Sequence, residues 1–180
     1  GSRAIYGDFP AFIVPNYTIS ALEFPAFAML GIAAAVLAVG FMRSIALVAQ
    51  QMARLPIPPW TRPAVGGLGV GILAIAFPEV LGVGYGSTDL ALKGEFALAV
   101  LIGLMLAKTA ATALTIGSGF GGGVFSPSLF LGAMLGGAVG TIAGVVAPHL
   151  SLAEGSTVFA GEGAYAMVGM GAVAGAVLGA

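Results

Sequence analysis

Charge is scarce in this sequence: only 7% of its 180 residues are Asp, Glu, Lys or Arg, against roughly 25% in an ordinary soluble domain. Hydrophobic residues make up 59%, and the mean hydropathy is +1.08. A chain this apolar belongs in a bilayer. Cysteine is absent, which excludes disulfides and thiolate metal sites but leaves the compartment open. The net charge of −1 comes with no basic run, so no surface for nucleic acid is expected. The one histidine, His149, follows Pro148, and neither a GxSxG nor an HExxH pattern occurs. An intramembrane hydrolase would need a nucleophile with a base, or a metal cluster. The reading is therefore no enzyme, no metal and no cofactor.

What is present is a series of apolar segments punctuated by glycine and proline. Phe24 to Met42 is free of charge over 19 residues, about 28 Å as a helix, near the hydrocarbon thickness. The helical pattern continues to Arg54, where Pro56, Pro58 and Pro59 end it. Further spans are expected over 63–77, 96–115, 127–146 and 163–180. The 63–77 segment is short and glycine-rich, and a polar loop containing Asp89 and Lys93 follows it. Arg43, Arg54 and Arg62 crowd one connection, whereas Arg3 is balanced by Asp8 and Glu23. The positive-inside rule places the 43–62 connection in the cytoplasm. The chain starts at Gly1-Ser2 without Met, shows no signal-peptide series and stops inside an apolar segment, so it reads as an interior piece of a longer protein.

The most informative stretch runs from Gly117 to Phe130, where five glycines and Pro127 interrupt the apolar sequence before a helix restarts. Lipid tolerates non-helical backbone only where protein buries it or water reaches it. Glycines leave backbone N–H groups unshielded, and the first amides of the new helix lack intrahelical partners. The helix dipole adds about half a positive charge there. Pro127 suits the first turn, since its missing N–H would have been an orphan. An anion site built from such weak donors is one reading; a glycine hinge or packing corner is the other.

Gly123-Val124-Phe125-Ser126-Pro127, within Gly121 to Ala133, resembles the GxFxP signature of the CLC family of chloride channels and proton-coupled chloride exchangers. Lys108 to Thr115 resembles the helix end before that signature, and Tyr165 to Ala172 the segment after it. The resemblance implies an all-α integral membrane protein, a multi-helix bundle with broken and tilted helices that forms part of a CLC-type inverted-repeat fold, mostly its second half. It also implies that backbone amides of Val124 and Phe125 bind chloride, with Gly121, Gly122, Gly123, Ser126 and Pro127 shaping the helix start. Implied as well are a homodimeric parent and a plasma or bacterial inner membrane location, with chloride as the transported ion and protons as a second substrate if the parent is an exchanger. The GSGxP segment, the glutamate gate, the proton-transfer glutamate and the pore tyrosine of the family fall outside these residues. Ser118 is not assigned the role of the pore serine, because Gly117-Ser118-Gly119 lacks the proline.

Lys108 is costly at membrane depth, and it has two readings. It snorkels or pairs with a carbonyl, or it attracts anions electrostatically toward a pore. Glu79, Asp89 and Glu95 read as solvated loop residues, and Asn16-Tyr17-Thr18 is a formal glycosylation sequon. Glycines at four-residue spacing, Gly132, Gly136, Gly140, Gly144 and then Gly171, Gly175, Gly179, mark close helix packing. They also support an alternative function: a non-conducting assembly subunit held by small-residue faces.

Overall fold

The computed structural model describes residues 24–146 and 161–179. The sequon, His149 and the acidic and basic residues before Phe24 lie outside these. Among the described residues six α-helices follow in order: α1 Phe24–Arg54, α2 Arg62–Ala76, α3 Tyr85–Leu92, α4 Leu98–Gly117, α5 Phe125–Val146 and α6 Glu162–Leu178, with single 3₁₀ turns at Pro59–Thr61 and Pro78–Val80. Among the described residues there is no strand. The protein is an all-helical membrane bundle.

Among the described residues three helices, α1, α4 and α5, are long and apolar enough to cross a membrane. At 15 and 17 residues, α2 and α6 reach about 22 and 25 Å, short of a full hydrocarbon core. The 31 residues of α1 extend about 46 Å, carrying Arg54 beyond the apolar region before the prolines stop the helix. Large apolar side chains on its outer face, among them Met29, Ile32 and Val36, are exposed, as suits a surface that meets lipid or further helices.

The segment read as a polar loop around Asp89 is in fact helical. Gly84 precedes α3 with φ +82° and Gly94 follows it with φ +70°, left-handed values that glycine adopts without a steric cost. Between them Ser87, Thr88, Ala91 and Leu92 are buried, so packing against α5 and α6 rather than intrinsic propensity holds these eight residues helical. Lys93 and Asp89 pair at 2.6 Å on the solvent side, and Asp89 raises the lysine pKa above its ordinary value through that hydrogen bond and its charge.

The tightest pairing in the bundle is α5 with α6. A Cβ on Gly136 would meet the Cα of Ala166 at 2.6 Å, and one on Gly140 the Cα of Glu162 at 2.9 Å, while Gly132 and Gly169 lie against each other's backbone carbonyls. Gly132, Gly136 and Gly140 thus let α5 approach α6 backbone to backbone. The partner face on α6 differs from the one the spacing suggests. It is Tyr165, Ala166 and Gly169; Gly171 and Gly175 are exposed with nothing near their Cβ positions, and Gly179 meets only the Gly175 carbonyl of its own helix. The small face of α5 is therefore consumed inside the chain, which removes the reason for assigning it to a second subunit. On the far side of α6, Val173 and Val177 pack with Ala34, Ala38 and Phe41 of α1 and with Leu131, and the Phe27 ring stacks on Tyr165 at 4.6 Å.

Candidate functional site: an open helix N-terminus

The glycine break separates two helix ends that are treated differently. At the end of α4, Gly119 turns left-handed with φ +88°. Its N–H donates to the Ile116 carbonyl at 3.0 Å, and the N–H of Phe120 donates to the Thr115 carbonyl at 3.1 Å. This is a Schellman motif, which satisfies carbonyls that a helix end otherwise leaves bare. The Ser118 hydroxyl adds a third bond, to Thr115 O at 3.0 Å. The negative end of α4 is capped.

The positive end of α5 is not. The Ser128 N–H donates to the Val124 carbonyl at 3.0 Å, which makes Val124 the N-cap, Phe125 and Ser126 the first two helical residues and Pro127 the third. The helix begins two residues before the proline, because a ring at the third position still sits where no intrahelical donor is needed. Among the described residues no backbone carbonyl or side chain accepts from the amides of Val124, Phe125 or Ser126, and the first turn carries no acid. The Ser128 hydroxyl bonds back to Phe125 O at 2.6 Å, leaving the amides unshared. Such an end favours an anion by about 0.3–1 kcal/mol when exposed and up to about 2 kcal/mol when partly buried.

The sequence-derived site residues divide by environment. Gly121, Gly122 and Gly123 are exposed, with the only near neighbour of their Cβ positions being the Ile116 side chain at 3.4 Å from Gly122 and Thr115 beyond it. They leave the approach to the amides open. Val124 is half-buried against the cluster around Phe41, Leu131 and Val173, which anchors the start of α5. The Phe125 side chain is 53% exposed. Ser118, 3% exposed, is shut against α2, where a Cβ on Gly66 would meet its side-chain carbon at 2.5 Å; its hydroxyl is occupied by α4 and faces no open space.

A cleft of about 80 Å³ opens beside this end, lined by Phe125, Ser126, Leu129 and Phe130 of α5, Val83, Tyr85 and Thr88 around the start of α3, and Met170 of α6. The α3 wall was not legible in the sequence, because it lies some 40 residues upstream and carries no charge pattern aimed at the break. Gly84 is what lets it close up: a Cβ there would meet Phe130 ring atoms at 2.5 and 2.7 Å. Among the described residues no group of His, Cys, Asp or Glu could hold a metal ion.

Lys108 lies in α4 and is 3% exposed, so it does not snorkel. Its ammonium donates to the carbonyls of Val80 at 2.8 Å and Gly82 at 2.7 Å and lies 5.2 Å from the centre of the Phe130 ring. Val80 ends the Pro78–Val80 turn and Gly82 lies two residues beyond it, ahead of α3. The Val80 bond is buried and the Gly82 bond part-buried; a buried carbonyl such as that of Val80 left without its donor costs about 1–3 kcal/mol.

The chain matches the family model described as voltage gated chloride channel over residues 1–180. It is 36% identical to chloride channel protein CLC-f of Arabidopsis thaliana over 95% of its own length and 23% of that protein's. It is 34% identical to the putative chloride channel protein ClcB-like of Ralstonia nicotianae, covering 95% of this chain and 38% of the relative. The H(+)/Cl(-) exchange transporter ClcA of Salmonella agona is 40% identical over 56% of this chain and 21% of the transporter. The chain thus spans between about a fifth and two fifths of the length of these relatives. With its helical membrane bundle and its match from first residue to last, this chain belongs to the voltage-gated chloride channel family.

Proposed function

We propose that the chain supplies the anion-binding helix start of a chloride transport protein, with chloride held by the backbone amides of Val124 and Phe125. The observation that carries this reading is the asymmetry at the break. The carbonyl end of α4 is capped, whereas the amide end of α5 has no acceptor among the described residues and opens on a cleft. Neutral amide donors suit conduction, because a full cationic side chain in low dielectric would bind the ion too tightly to release it. Gly121, Gly122 and Gly123 keep the path clear, and Ser126 and Pro127 shape the first turn.

Two relatives are named chloride channels and one an H(+)/Cl(-) exchange transporter, which supports chloride as the ion and makes protons a second substrate in the exchanger reading. The parent is proposed to act as a transporter rather than an enzyme, as a homodimer in a plasma or bacterial inner membrane. The test is chloride efflux from proteoliposomes holding the full-length parent, with external pH recorded at the same time. Chloride efflux with stoichiometric proton counterflow identifies an exchanger, and efflux without it a channel. No chloride efflux from correctly folded protein overturns the proposal.

A further inference from the structure

The geometry points to Lys108 as a positioning residue that sets the width of the cleft beside the α5 helix start, and hence which anions fit there. This rests on the anion-site reading above. Lys108 is the buried charge for which the helix start itself supplies no use. Its ammonium is spent on the Val80 and Gly82 carbonyls, and no carboxylate among the described residues pairs with it. The two carbonyls flank a stretch that needs such a tie. Val80 is buried beside Ala107 and Ala111 and the Gly84 carbonyl is held by Thr88, but between them the chain passes Gly82 at φ +64° with Leu81 and Val83 exposed, so the bond from Lys108 to Gly82 O is the side-chain tie in the middle of the stretch.

That stretch is the cleft wall. Val83 lines the cleft, α3 starts directly behind it at Tyr85, and the opposite wall is Phe125, Ser126 and Phe130. Phe130 joins the two sides: its ring faces the Lys108 ammonium at 5.2 Å and lies so close to Gly84 that no Cβ would fit between them. Lys108 therefore ties the 80–84 segment to α4 while Phe130 fixes its distance from α5. A bound anion meets Lys108 through the wall that it holds and not through direct contact.

The full-length protein with Lys108→Met, Lys108→Gln or Lys108→Arg separates this role from others. Glutamine keeps N–H donors without the charge; arginine keeps both. Hydrogen exchange at the Val80, Leu81 and Thr88 amides, which donate to the Phe77, Pro78 and Gly84 carbonyls, reads the tie, and calorimetric titration with sodium chloride and sodium nitrate reads its consequence. Methionine is expected to speed exchange at the Val80, Leu81 and Thr88 amides about tenfold, weaken chloride binding about tenfold and narrow the chloride-to-nitrate ratio, with arginine within about twofold of wild type. Glutamine is expected nearer to arginine than to methionine. Should the methionine variant fail to fold, the comparison of glutamine with arginine still decides.

Equal exchange and equal affinities in all variants overturn the inference. So does a glutamine variant with slow exchange but methionine-like chloride affinity, because charge and not the tie would then be acting. If the wild-type protein binds neither anion while exchange still responds to Lys108→Met, the tie stands, the anion-site reading falls, and the inference about anion fit falls with it.

Discussion

Replacing Gly136 with alanine measures how close α5 must come to α6. The added methyl would sit 2.6 Å from the Ala166 Cα and 2.6 Å from the Tyr165 carbonyl carbon, where carbon atoms in contact keep about 3.5–4.0 Å. The obstacle is backbone, so no side chain can swing away, and the helices must part by roughly 1 Å. Yielding is opposed from behind, since Val173 and Val177 already press on α1. Overpacking of this kind costs about 1–3 kcal/mol, and rigid obstacles put it at the upper end. Alanine recovers about 1 kcal/mol of helix propensity over glycine, so the net loss is expected at about 2 kcal/mol. Gly171→Ala is the matched control. Its Cβ meets nothing within 4 Å, so only the propensity gain applies and stability is expected to rise by up to about 1 kcal/mol. Equilibrium unfolding of the full-length protein in mixed micelles compares the two. Equal effects of the two substitutions would refute the packing argument.

Gly119→Ala is expected to destabilise by about 1–2 kcal/mol, since its φ of +88° costs an L side chain that much although nothing crowds the position; Gly119→Asn, which tolerates the left-handed region, should cost clearly less in the same unfolding assay. The Asp89–Lys93 pair makes a pH prediction. Because Asp89 raises the Lys93 pKa, its contribution is fully present below the ordinary lysine pKa and disappears as pH rises through the raised value. Thermal midpoints of wild type and Asp89→Asn should therefore differ by a constant amount through neutral pH and converge only in strong alkali. Convergence near neutrality would show that the pair is not acting as drawn.

The parts of this fold legible in the sequence are those written in local chemistry. Pro56, Pro58 and Pro59 after Arg54 cannot continue a helix, and the glycines from Gly117 to Gly123 cannot sustain one well in a bilayer. What was not legible depends on distant partners. Tyr85–Leu92 has a weak apolar pattern and becomes helical because α5 and α6 cover one of its faces. Gly171 and Gly175 repeat at the same spacing as Gly132 and Gly136, yet Gly132, Gly136, Gly140 and Gly169 meet a neighbouring backbone while Gly171 and Gly175 meet nothing. Spacing reports that a helix has a small face, and the bundle decides which face is used. Lys108 finds carbonyls 26 and 28 residues away, and since every residue has a carbonyl, no residue type could have announced them. The helix start itself was readable because proline, glycine and missing side-chain caps are local. The α3 wall of the cleft was not.

Phe125→Pro tests the central claim most directly. Proline at the first helical position keeps the helix but deletes one of the proposed donors, the Phe125 N–H, and Phe125→Ala controls for the lost ring by keeping that N–H. A hydrogen bond to a charged group is worth about 1.5–3 kcal/mol, so chloride binding to the full-length protein should weaken roughly 10- to 150-fold in the proline variant and far less in the alanine variant. Titration calorimetry in detergent reads both. Chloride affinity in Phe125→Pro equal to that of Phe125→Ala would contradict an anion site built from the amides at the start of α5.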